Sequence, residues 1–141
     1  ESAAHELWDD GFLQQIATVM VRRARDTGAL AVLPPALAFR AGVHVFSGEF
    51  AGAATLLEEA NAITVSTGQT PVRYHTLTLA SWRGVAGDAV EMIEAAAAEA
   101  TARGEGRLFG LTRYAAAILF NGLGRYEEAF AAARAVSGSN R

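Results

Sequence analysis

Apolar residues recur along this chain every three or four positions, with polar residues between them. The stretch from 50 to 67 is representative. Phe50, Ala53, Ala54, Leu57, Ala60, Ala62 (less cleanly) and Val65 follow helical spacing, whereas Glu49, Glu58, Glu59 and Asn61 fall mostly elsewhere. That pattern predicts an amphipathic helix packed on one side. Strand-type alternation of Val, Ile and Thr is hard to find, so the whole chain reads as helical. The periodicity predicts helices at about 7–27, 35–47, 50–67, 71–83, 87–103, 107–123 and 125–136. Pro35 and Pro71 fall in the first turn of their predicted helices, where a missing N–H costs little.

Glycines punctuate this pattern at intervals of 36 and 40 residues. Gly28, Gly68 and Gly104 each close a long apolar-periodic stretch, and Gly48, Gly84 and Gly124 each open the next. Gly68 and Gly104 are 36 residues apart, as are Gly48 and Gly84. Five residues after each opening glycine stands an alanine: Ala53, Ala89 and Ala129. An opening glycine suits a left-handed residue at the end of one helix. The alanine marks the crossing of the two helices, where only a small side chain fits. The fold expected is an all-α superhelix, a solenoid of about seven antiparallel helices in a single segment, 1–141. Its hairpins cover about 35–67, 71–103 and 107–136, preceded by an unpaired helix at 7–27. No polar capping helix is recognisable at either end, so self-association through open solenoid ends is expected.

Composition narrows the function classes. Hydrophobic residues make up 51% of the 141, enough to sustain a folded core. The net charge is −3 and no long basic stripe exists, so the segment itself lacks the electrostatic footprint of a nucleic-acid binder. All twelve basic residues are arginine, which with the alanine excess suggests GC-rich coding DNA such as actinobacteria carry. The absence of cysteine excludes disulfides and thiolate metal sites and fits a cytoplasmic protein. No apolar stretch approaches the roughly 20 residues that span a bilayer, so no membrane partner is expected.

Gly124-Arg125-Tyr126-Glu127-Glu128-Ala129, with the helix before it, resembles a tetratricopeptide repeat (TPR). The other hairpins match less well, with Arg73 and Arg113 where large apolar residues are expected. A second resemblance covers most of the chain. LWDDGFLQQIATVMVRRARDTGALAVLPPALAFRAGVHVFSGEF, LLEEANAITVSTG and ATARGEGRLFGLTRYAAAILFNGLGRYEEAFAAARA are similar to the helical region of large bacterial LuxR-type regulators. The resemblance implies a segment that senses an effector or partner, between an ATP-binding module and a DNA-binding helix-turn-helix. Neither module can be placed here: without lysine there is no GxxxxGK[ST] loop, and no helix-turn-helix is recognisable. No cofactor is expected in this segment.

Candidate chemistry is sparse. Gly104-Glu105-Gly106-Arg107 with Gly110 lacks the spacing of a phosphate loop and has no strand before it, which favours a helix stop and a turn. His5, His44 and His75 are too scattered for a metal site, and His44, among Val43, Val45 and Phe46, is expected to pack with one nitrogen hydrogen-bonded. Ser47, Ser66 and Ser81 have no placed base. Glu58-Glu59 and Glu127-Glu128 are expected on solvated faces, and Arg22, Arg23 and Arg25 at a helix carboxy-terminus. Catalysis is therefore not expected.

The remaining set lies on the first helix of each hairpin, which in tetratricopeptide stacks lines a concave groove. Counting back from the opening glycines places Tyr74, Thr78, Ser81, Tyr114 and Asn121 on one face, with Arg73 and Arg113 at equivalent positions. Aromatic rings with polar tips suit a protein or small-molecule effector, and the arginines a carboxylate or phosphate. The competing expectation is that the tyrosines pack between hairpins and the arginines pair with acids of neighbouring helices. Two functions follow: the sensor segment of a LuxR-type regulator, or a TPR-like scaffold for protein–protein interaction unrelated to transcription.

Overall fold

The computed structural model of the chain describes residues 9–71 and 73–138. They form seven helices: α1 Asp10–Asp26, α2 Leu33–Phe46, α3 Phe50–Thr67, α4 Tyr74–Arg83, α5 Ala86–Arg103, α6 Gly106–Gly122 and α7 Tyr126–Gly138. No strand occurs among the described residues. His5 and the start of the helix expected at 7–27 lie outside the described residues. The chain divides into two compact units, Glu1–Leu79 and Ala80–Arg141, and the division falls inside α4.

The six glycines singled out by spacing share one backbone state. Gly28, Gly48, Gly68, Gly84, Gly104 and Gly124 all have positive φ, from 61° to 76°. At Gly68 the following N–H, of Gln69, donates back to the carbonyl of Thr64 at 2.9 Å. At Gly104 the N–H of Glu105 does the same to Ala100 at 2.8 Å. This closure satisfies helix-end carbonyls and reverses the chain within a few residues.

One boundary differs from expectation. Pro71 is not in the first turn of α4, which starts three residues later at Tyr74. The helix then starts from Arg73, whose carbonyl accepts from the N–H of Leu77 at 3.0 Å. Pro34 and Pro35 do lie in the first turn of α2.

In the first unit α2 packs against both α1 and α3. Leu33, Ala36 and Leu37 of α2 meet Val21 and Ala24 of α1 and Ala60 of α3. Ala38, Ala41 and Val45 meet Ala53 and Leu57 of α3 and Leu79 of α4. Val43 meets Leu13 and Ala17 of α1. Three clusters on one helix explain why α2 is apolar nearly all round. Arg25 of α1 forks onto both carboxylate oxygens of Glu59 of α3, at 2.8 and 2.7 Å. Arg25, in the last turn of α1 as expected, thus also joins another helix, and Glu59 is only partly solvated.

In the second unit α6 packs against both α5 and α7. The buried residues are mostly alanine: Ala89, Ala96, Ala97 and Ala100 on α5, Ala115 and Ala116 on α6, and Ala129 and Ala132 on α7. Ile93 and Leu119 are the large fully buried side chains among them. The alanines that follow the opening glycines are enclosed throughout, with Ala53 0%, Ala89 2% and Ala129 8% exposed.

Candidate functional site

The residues expected to face a ligand separate by burial. Tyr74 opens α4 and is 41% exposed, with its ring edge-on to that of His75 at 4.8 Å between centroids. Thr78, one turn later, is 2% exposed, and its hydroxyl donates to the Tyr74 carbonyl at 2.9 Å. Ser81 is 4% exposed. A threonine hydroxyl bound to its own helix four residues back satisfies itself inside the fold. Thr78 and Ser81 are therefore closed to a ligand arriving from solution. Arg73, just before α4, is half-buried.

On α6, Tyr114 is 42% exposed and Asn121, two turns on, is exposed. These two lie on one face, as i and i+7 do. Arg113 behaves as the competing expectation describes. Its guanidinium pairs with Glu94 of α5 at 3.1 Å and lies 5.5 Å above the Phe109 ring. An arginine held by a carboxylate and a ring has its cationic capacity engaged. Tyr74, Arg73 and Thr78 belong to the first unit, and Ser81, Arg113, Tyr114 and Asn121 to the second.

The other candidates resolve into local structure. Gly104 ends α5, and Gly106 and Gly110 belong to α6. His44 pairs through Nδ1 with Glu49 across the α2–α3 turn. The His75 ring sits so close to Gly42 that an added Cβ would lie 2.4 Å from Cε1. A glycine inside an otherwise apolar helix is the sequence signal of such a close approach. Arg40 is half-buried on α2, and its Nε is enclosed with no hydrogen-bond partner. Among the described residues no three His, Asp or Glu gather where a metal ion could be held, and no helix is long and apolar enough to cross a membrane.

Comparison with protein-family models, with curated proteins and with solved structures finds no match to this chain.

Proposed function

We propose that this chain is a non-catalytic sensor or interaction segment of a LuxR-type transcription regulator. In this proposal its hairpins stack as a TPR-like superhelix that binds an effector or partner in the cytoplasm. Binding is coupled to ATPase and DNA-binding modules carried elsewhere in the protein. The observation that carries it is the resemblance of the stretches 7–50, 56–68 and 100–135 to the helical region of such regulators. The glycine-closed helices and the crossing alanines are compatible with repeated hairpins of that kind.

Tyr114 and Asn121 on α6, and separately Tyr74 at the start of α4, are the groups offered to an effector, being exposed and able to both stack and hydrogen-bond. An effector shifts a regulator only by the difference in its affinity for the two states. These contacts must therefore form more fully in the active state than in the resting one.

The test uses the full-length regulator with its effector. Tyr114→Ala and Tyr74→Ala together should lower effector-stimulated ATPase and promoter response by roughly tenfold, as the loss of two anchoring aromatics does, with ATP affinity unchanged. An unchanged response removes these residues from the sensing role. A reading frame with neither a P-loop ATPase upstream nor a helix-turn-helix downstream overturns the regulator assignment and leaves the TPR-like scaffold.

A further inference from the structure

Arg40 sits in the middle of α2, with Ala36 and Leu37 one turn before it and Val43 and His44 one turn after. Ala36 and Leu37 share a cluster with residues of both α1 and α3. Val43 packs on Leu13 and Ala17 of α1. The His44 ring lies against α3, where a Cβ on Gly52 would be 3.4 Å from Nδ1. The face that these four residues frame, and Arg40 with it, therefore points between α1 and α3. Counted from the opening glycines, Arg40 corresponds to half-buried Thr76 of α4 and to Ala116 of α6, which is 1% exposed. The first hairpin thus carries a guanidinium where the third encloses a methyl group.

That charge is permanent, because arginine keeps its proton in proteins, and enclosing it without a counter-charge is costly. Arg113, half-buried as well, has Glu94 and the Phe109 ring. For Arg40 the acids of α3 and its entry are already engaged: Glu59 is held by Arg25 and Glu49 by His44. No carboxylate of the described residues pairs with Arg40. Its Nε is enclosed, whereas its two Nη groups are not. The fork therefore opens outward from between the helices.

We infer that Arg40 is an oxyanion site, its two Nη groups donating end-on to two oxygens of one phosphate or carboxylate group. A planar fork matches two such oxygens at once. Gln14 and Thr18 are half-buried on the flank of α1 that carries Arg25. The Thr18 hydroxyl is used within α1, donating to the Gln14 carbonyl at 2.8 Å. The Gln14 amide is the further donor on that flank. With a single charge in the site, Kd is on the order of millimolar.

The inference goes beyond the regulator assignment and does not depend on it. Thermal unfolding of the chain in phosphate and in acetate, each against chloride at equal ionic strength, tests it. At about 50 mM phosphate the midpoint should rise by about 3–6 °C over chloride. Arg40→Met keeps the apolar stem and removes the charge. It should be at least as stable as the unsubstituted chain in chloride, and should keep only the general effect of phosphate that every variant shares. Arg40→Lys keeps the charge without the fork, and should need about three- to tenfold more phosphate for the same rise. A rise in phosphate alone assigns the site to phosphate groups, and a rise in acetate too extends it to carboxylates. No rise in either anion overturns the inference, as does a rise undiminished in Arg40→Met. An Arg40→Met chain that unfolds earlier in chloride also overturns it, because the guanidinium would then already be satisfied within the fold.

Discussion

The two units reverse the chain with the same glycine closure but fill the space between helices differently. Around α2 the core is built from Leu33, Leu37, Val43, Val45 and Leu57, with Val21 and Leu13 from α1. Around α6 the enclosed positions are dominated by Ala96, Ala97, Ala100, Ala115, Ala116 and Ala132. Large side chains gain transfer free energy on burial, roughly 1.5–3 kcal/mol each. Alanine gains less per residue, but it favours the helix intrinsically and lets backbones approach. One unit is therefore held mainly by side-chain volume and the other by close helix crossings. They should fail in opposite ways, the first when atoms are removed and the second when atoms are added.

The largest expected effect is in the first unit. Leu37 is fully enclosed between α1 and α3. Leu37→Ala should cost about 2–5 kcal/mol, read as a lower urea midpoint with faster hydrogen exchange in α1–α3. A loss below about 1 kcal/mol would show that this core collapses around the missing atoms, and volume would no longer distinguish the units.

The reciprocal change belongs to the second unit. Ala115 is 0% exposed on the helix that packs against both α5 and α7. Ala115→Leu should destabilise by about 1–3 kcal/mol, because a close crossing cannot absorb three extra carbons without shifting backbone. Thermal unfolding checks it. An unchanged midpoint would mean that the crossing is loose and that alanine is there for helix propensity alone.

The sequence made this contrast legible up to a point. Helical periodicity and glycine spacing placed all seven helices, because a closing or opening glycine is a local backbone requirement that repeats. The crossing alanines followed from the same register. Side-chain exposure was less accessible. Tyr74 and Thr78 share a helix face by spacing, yet one is half-exposed and the other enclosed, which depends on neighbouring helices rather than on the helix itself. Arg113 had two open fates in the sequence, and only the position of Glu94 on another helix decides between them. The seating of His75 against Gly42 is likewise a contact between distant segments that no local pattern encodes.

The smallest expected effect tests what the units have in common. A Cβ placed on Gly68 or Gly104 would meet nothing within 4 Å, so any cost of substitution there comes from the backbone alone. Their φ values, 66° and 67°, are nearly identical. Gly68→Ala in the first unit and Gly104→Ala in the second should therefore each destabilise by about 1 kcal/mol, and by the same amount within error in urea titrations. Asparagine tolerates the left-handed region better than alanine, so Gly68→Asn and Gly104→Asn should each recover part of the loss. Equal costs with the same recovery would establish that the hairpin closure is independent of the core it serves. Unequal costs would locate the difference between the units in their turns as well as in their packing, since no side-chain contact is available at either site to account for it.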